Sequence, residues 1–499
     1  MKRLLAILLL VCAFSVPAAA ATVNVKNLDM GKNVQVWYVE DHTLPMIALT
    51  VALPAGSAYD PKDKPGLAAF TADLLNEGAG NLKSQEFQTA LSNKAIRLNM
   101  TPTRDYLVIS IVTLSENAKE AFRLLGLALT RPRFDNDAIT RVRAQIVAAL
   151  QQEDEDPQDV ASKGFMNTFM GSHPYAHPIN GTTASISRIN RNDVRAFARE
   201  HWVRNGLKIS VSGDVDPETL KVLIGSAFGQ LPAKWAPPIP PVRHMGVPGV
   251  HVIPLHVPQP TAVFGLPGIL RSDRDFIPAY VANYVLGGGG FSSRLMQEVR
   301  EKRGLTYGIS SSLDTLRKAG IFAVQVATRA NAMQQTIDVV RATMKDFADN
   351  GATDKELADA KTYITGSFPL ALSSNSGIVT QLNSFQRVGL PIDYIEKRNA
   401  LINAVTVEGV KRVAKRVFNP NKMTILVGGS MQGGPAHTKP LPGGGKPPTP
   451  AQPPAKPAAP KTAASAPKPP VASTTAAKPK EQRQPGSPAA AAPANTPHP

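Results

Sequence analysis

Between residues 22 and 430 the chain switches repeatedly between two hydrophobic rhythms. Alternation in Leu107-Val108-Ile109-Ser110-Ile111-Val112 and again in Ile321-Phe322-Ala323-Val324-Gln325-Val326 supports sheet. Runs rich in Ala, Leu, Arg and Gln, such as 139–152, predict helices. Each half of this region repeats one order: alternating strands, a helix near the start (about 65–77 and 275–287), further strands, then long helices. A weak internal repeat reinforces this. Val194-Arg195-Ala196-Phe197-Ala198-Arg199 and Asn205 through Gly213 lie over Val410-Lys411-Arg412-Val413-Ala414-Lys415 and Asn421 through Gly429, at an offset of 216 residues. Both copies read as an amphipathic helix, a short turn and a strand ending at glycine. The expected fold is therefore α+β: two homologous halves, each a mainly antiparallel sheet packed with helices, facing each other across a cleft.

The two ends differ from this body. Met1-Lys2-Arg3, an apolar run from Leu4 to Val16, and small residues through Ala21 read as an exported chain's signal peptide, cleaved near Ala20 or Ala21. The run is too short to span a bilayer as a stable helix. Cys12 is the only cysteine, so the mature chain would have no disulfide, no thiolate-bound metal and no cysteine nucleophile. Beyond Ser430 the sequence turns to Pro, Ala, Lys, Gly, Ser and Thr and predicts a disordered tail. Seven Lys and one Arg face a single Glu481 there, so part of the formal net charge of +17 belongs to the tail. Export argues against nucleic acid as its partner and leaves a solvated spacer, or contact with cell wall or a membrane surface. The domain organisation that follows is a signal peptide at 1–21, an N-terminal domain at 22–236, a Pro-rich linker at 237–249, a C-terminal domain at 250–430 and a tail at 431–499.

Several segments then carry a family resemblance. Ala55-Gly56-Ser57 followed by Gly66-Leu67-Ala68-Ala69-Phe70-Thr71-Ala72-Asp73-Leu74-Leu75-Asn76-Glu77-Gly78 resembles the first motif of the pitrilysin/insulinase zinc peptidases. His173-Pro174-Tyr175 with Gly181, Gly213-Asp214, and Leu286-Gly287-Gly288-Gly289-Gly290-Phe291-Ser292-Ser293-Arg294-Leu295 continue the match in the family's order. The size is similar to that of the mitochondrial-processing-peptidase-like branch. In that family the helix carries H-x-x-E-H, two zinc-binding histidines and a glutamate that activates water.

The departure from the motif is as informative as the match. The positions of the two histidines are Ala69 and Asp73, and that of the glutamate is Ala72. The family's third ligand, on a later helix before an acidic-Pro stretch, falls at about Ala149, ahead of Asp154-Glu155-Asp156-Pro157. On a helical wheel Ala69, Ala72, Asp73 and Asn76 share the face opposite Leu67, Phe70, Thr71 and Leu74, so the expected reactive stripe is blank. Zinc catalysis needs three protein ligands and an open water position, and the chain is expected to bind no metal of its own. His173 and His177 sit on a Pro-interrupted loop and read as local hydrogen-bonding groups; His42, His244, His251 and His256 are scattered. The acidic run 153–156 reads as a solvated helix end.

The second half contains Arg300 and Tyr307, separated by Gly304. Gly304 should end a helix, with Arg300 in its last turn and Tyr307 in the strand that follows. Each taken alone has a plain explanation, dipole complementation for Arg300 and strand packing for Tyr307. The family resemblance gives them another: an Arg and a Tyr at that spacing reach substrate at the zinc, where a guanidinium fork and a phenol hold a peptide carbonyl. The resemblance therefore implies a zinc-less subunit that pairs with a homologous zinc-bearing subunit and helps it bind peptide. Two other readings stay open: a structural or chaperone-like relative without a part in proteolysis, and a hydrolase with rearranged ligands.

Overall fold

The computed structural model describes residues 23–31 and 33–431; the segments predicted as signal peptide (1–21) and tail (431–499) lie, but for Met431, outside the described residues. The first half contains β1 (Lys26–Leu28), β2 (Val34–Glu40), β3 (Met46–Leu53), α1 (Leu67–Asp73), a small hairpin of β4 (Gly78–Ala79) and β5 (Leu82–Lys83), α2 (Ser84–Ser92), β6 (Arg97–Pro102) and β7 (Leu107–Leu114). It continues with α3 (Ala118–Thr130), α4 (Asn136–Glu153), α5 (Pro157–Met170), α6 (Thr183–Arg188), α7 (Arg191–His201), β8 (Leu207–Gly213) and α8 (Pro217–Phe228). The second half has β9 (Gly249–Ile253), β10 (Thr261–Pro267), α9 (Phe276–Asn283), β11 (Ile309–Thr315), β12 (Gly320–Ala327), α10 (Met333–Asn350), α11 (Asp354–Ser367), α12 (Asn375–Arg387), α13 (Tyr394–Asn403), α14 (Val407–Val417) and β13 (Thr424–Gly428).

The two sheets have the same topology. The first runs β1-β2-β8-β3-β7-β6 and the second β9-β13-β10-β12-β11, so the second reproduces the first without β1. In each, one parallel pair (β2 with β8, β9 with β13) sits beside antiparallel neighbours. The expected α+β duplication is thus present, and the repeat is structural as well as sequential. α7 and α14 begin and end 216 residues apart. Both bury one stripe, Val194, Phe197, Ala198 and His201 in α7, Val410, Val413, Ala414 and Val417 in α14, at helical spacing. Both are capped from outside, by the Asn190 carboxamide on the Asn192 and Asp193 N–H groups and by the Thr406 hydroxyl on Gly409 N–H. The strands that follow end at Gly213 and at Gly428, one residue short of the repeat's Gly429, and Gly213 and Gly429 have φ of +137° and +136°. A side chain at Gly213 would place its Cβ 2.1 Å from the Met46 carbonyl oxygen, so the glycine is required twice over.

Each half lends one helix to the other. α5 packs across β10 and β13 of the second sheet, while α12 packs across β3 and β8 of the first. Each half also has its own apolar core, and a third cluster, with Phe165, Phe169, Tyr175, Ile239, Val263, Ile321 and Leu426, joins residues of both. Polar contacts complete the junction. The Asp105 carboxylate accepts from the Tyr175 hydroxyl (2.5 Å) and the Arg317 backbone N–H (2.9 Å), tying the β6–β7 turn to the β11–β12 turn.

Candidate functional site

α1 is held at its start by two contacts that its own sequence cannot supply. Gly66 offers no capping side chain, and the buried Asp60 carboxylate accepts the N–H groups of Gly66 and Ala68, both at 2.7 Å. Burial without a cationic partner pushes the Asp60 carboxyl up to about 8 against those hydrogen bonds. Gly66 has φ of +91° and abuts Gly181, so that a Cβ there would lie 2.7 Å from the Gly181 Cα. This contact is why two glycines far apart in sequence belong to one motif.

The helix keeps its place, but its expected outward stripe does not face outward. Ala69 is 4% and Ala72 1% exposed, and among 67–73 only Asp73 is open to solvent. The helical wheel separates faces correctly but does not say what covers them, and here α7, β6 and α4 close around side chains as small as alanine. On α4, Val142, Ile146 and Leu150 recur at helical spacing and pack in the same core as α1, with Leu150 1% exposed. Ala149, the position assigned to the third ligand, is exposed, and the residue buried beside α1 is its neighbour Leu150. Asp73 is reached by solvent yet crowded by protein, and desolvation pushes its carboxyl up to about 6. The zinc of the resembling peptidases does not fit here. Two alanines and a leucine carry no donor atom, and one carboxylate is not a site. Among the described residues no group of three or more His, Cys, Asp or Glu is placed to hold a metal ion.

Two of the other histidines are committed elsewhere, while the His177 Nδ1 is buried without a hydrogen-bond partner among the described residues. His173 accepts the Tyr175 N–H at Nδ1 (3.1 Å), which leaves Nε2 to donate to the Pro240 carbonyl (3.0 Å). His42 lies between Asp214 (2.6 Å) and Glu40 (3.3 Å), whose hydrogen bonds raise its pKa. The acidic run does more than end α4: Asp156 caps α5 by accepting the Gln158 and Asp159 N–H groups, with Pro157 in the first turn.

In the second half, Arg300 is in the last turn of a wide-turned helix, Met296–Glu301, as expected, and Gly304 (φ +60°) donates its N–H to the Arg300 carbonyl at 2.8 Å. The Arg300 guanidinium reaches Glu301 at 3.0 Å and stacks 4.6 Å from the centre of the Phe291 ring. Tyr307 is not in the strand. Pairing of β11 with β12 starts only at Ile309, because the Thr306 hydroxyl, 2.7 Å from the Ala327 carbonyl oxygen and accepting from Gly308 N–H, holds residues 306–308 as a turn. Tyr307 is 90% exposed and makes no hydrogen bond among the described residues. Both residues lie on the segment leading into β11, an edge strand and the counterpart of the edge strand β6 beside α1. Among the described residues no hydrogen bond joins either of them to α1.

Comparison with known proteins gives a consistent result. A family profile described as "Insulinase (Peptidase family M16)" matches residues 35–183, and one described as "Peptidase M16 inactive domain" matches residues 188–364. A Helicobacter pylori protein named "Non-peptidase homolog YmxG" is 28% identical over 428 residues, 86% of this chain and 98% of its own length. A Bacillus subtilis protein named "Uncharacterized zinc protease YmxG" is 22% identical over 81% of this chain and 98% of that protein. Among solved structures, a peptidase M16 inactive domain from Pseudomonas fluorescens is 30% identical with a TM-score of 0.78, covering 84% of this chain and all of that one. A chain of Candida albicans complex III2, 16% identical with a TM-score of 0.68 over 82% of this chain, shares the fold.

Proposed function

The chain belongs to the insulinase family of peptidases, M16, as an inactive member without the zinc ligands, and we propose that it serves a homologous zinc-bearing subunit as the second wall of a peptide-binding site. One observation carries this reading. Tyr307 presents its phenol almost wholly to solvent two residues before an edge strand, with no hydrogen-bond partner among the described residues, where a packing residue would be covered. Arg300, half-buried on Phe291, supplies the cation seven residues earlier. In the paired state the guanidinium and phenol hold the carbonyl of a peptide lying extended along a sheet edge, and the partner's zinc provides the chemistry. The protein acts after export, in the periplasm, with the basic tail beyond Met431 as its contact to wall or membrane surface.

Reconstitution with a zinc-bearing homologue tests the proposal. Arg300→Ala and Tyr307→Phe should each lower kcat for peptide cleavage by about tenfold to a hundredfold without changing complex formation. Cleavage unchanged in both variants would remove it. A structural role alone predicts loss of the complex instead.

A further inference from the structure

A second site lies on the other face of the first sheet. Lys208, Ser210 and Ser212 alternate along β8 on the face that α12 covers. Ser210 and Ser212 are bonded to Gln386 (2.8 Å) and Asn375 (2.7 Å), whereas Lys208 lines an open cavity of about 790 Å³. Its walls include Tyr59, Tyr106, Trp235, Pro238 and, from the second half, Arg317. The volume is that of a small-ligand pocket.

Two cations line this cavity against one carboxylate, Asp29. Among the described residues Lys208 Nζ has one partner, the neutral Gln35 Oε1 at 3.0 Å. The Arg317 guanidinium bonds the Tyr59 hydroxyl oxygen at 3.2 Å and lies over the Tyr106 ring. Among the described residues no carboxylate forms an ion pair with either side chain. Asp105, bonded to the Tyr175 hydroxyl and the Arg317 backbone, and Asp29, the one carboxylate in the lining, bonded to the Gly31 N–H, are not within ion-pair distance of either cation. Desolvation, and then Arg317, lower the Lys208 pKa, whereas Arg317, despite its own burial, is raised by Tyr106, Tyr59 and the Asp105 carboxylate.

The fold does not require this opening. The counterpart of Lys208 at the 216-residue offset is Thr424, whose hydroxyl accepts the Val247 N–H at 2.8 Å. There Gly246 fills the space, so close that a Cβ would meet the Thr424 hydroxyl at 3.1 Å and the Phe169 ring at 3.2 Å. The first half leaves the equivalent place open and lines it with cations and aromatic rings. Asn27 and Leu28 of the edge strand β1 also border the cavity and give it a backbone edge for an extended chain.

We propose that this cavity binds the free carboxylate of a peptide C-terminus between Lys208 and Arg317, with an apolar last side chain against Trp235 and Pro238. The edge of β1 favours a peptide over a compact inorganic anion, because only a chain can use both the cations and the strand. The site shares no residue with α1, Arg300 or Tyr307, so it stands or falls independently of the proposed pairing.

Trp235 is exposed while Trp37 and Trp202 are buried, which makes tryptophan fluorescence of the full chain a local reporter. N-acetyl-Ala-Ala-Phe with a free carboxylate should change this emission on binding, and its C-terminal amide should bind at least about tenfold more weakly. Lys208→Thr, the residue of the second half, should erase the difference between acid and amide; Arg317→Gln, on an exposed turn, serves if that variant does not fold. Trp235→Ala should weaken acid and amide alike, read by calorimetry. Equal binding of acid and amide, no binding of the acid at millimolar concentration, or wild-type binding by both cation variants would overturn the proposal. So would Lys208-dependent binding of inorganic phosphate without binding of the acid peptide.

Discussion

The two borrowed helices meet strands of the same topology with opposite chemistry. At equivalent positions β8 presents Lys208, Ser210 and Ser212 to α12, and β13 presents Thr424, Leu426 and Gly428 to α5. α12 answers with amides. Gln386 accepts from the Ser210 hydroxyl and donates to the carbonyls of Ile209 (3.1 Å) and Gln35 (3.3 Å), and Asn383 donates to those of Lys208 (3.0 Å) and Thr50 (3.3 Å). α5 answers with shape: Phe165 presses on Gly265, where a Cβ would sit 2.1 Å from the ring, and Gly164 admits Ile253 and Leu426. A duplicated topology therefore fixes where a helix lies but leaves its means of attachment free. The polar face is the one that ends in an open cavity lined by Lys208 and Arg317; the apolar face is closed by Gly246 and Phe169.

The largest effect should come from the apolar junction. Phe165→Ala removes a buried ring that fills the space above Gly265 and should cost about 3–5 kcal/mol in denaturant unfolding. The next comparison uses pH. His201, on α7, packs with tilted rings against Tyr59 (4.9 Å) and Phe197 (4.5 Å), and burial pushes its imidazole down to about 4 from 6.5. As pH falls from 6.5 to 4 the unfolded chain takes up a proton that the folded chain refuses, so stability should fall by up to about 3 kcal/mol. Its counterpart on α14 is Val417. His201→Val should flatten this part of the stability–pH curve, and an unchanged slope would place the titration elsewhere. Gln386→Leu should cost about 1–3 kcal/mol, because it leaves the Ser210 hydroxyl buried without its acceptor. If Phe165→Ala proved milder than Gln386→Leu, the contrast between the junctions would be reversed. The smallest effect should be at Tyr307, where Tyr307→Phe should change stability by less than about 0.5 kcal/mol.

Much of the fold was legible because its signals are local. The alternating runs at 107–112 and 321–326 lie within β7 and β12, and the repeat survived because Gly213 and Gly429 must hold a positive φ that other residues resist. The helix exchange was not legible. Contacts such as Gln386 with Ser210 join residues 176 apart, and nothing in either segment names the other. The same limit applied at the sites. Local spacing placed α1 and Arg300, but whether Ala69 and Ala72 face solvent, whether Ala149 or Leu150 turns toward α1, and whether Tyr307 precedes the strand all depend on neighbours brought in from elsewhere. Lys208 and Arg317 carried no motif at all, since each is an ordinary cation until the fold places both in one cavity.

The central claim is that α1 and α4 are a peptidase scaffold without a metal, and it is tested most directly on the chain purified alone. Zinc should be measured after saturation and removal of the excess, together with cleavage of an unstructured peptide. Substoichiometric zinc and no cleavage are the predicted result. Stoichiometric zinc with cleavage abolished by a chelator would contradict it.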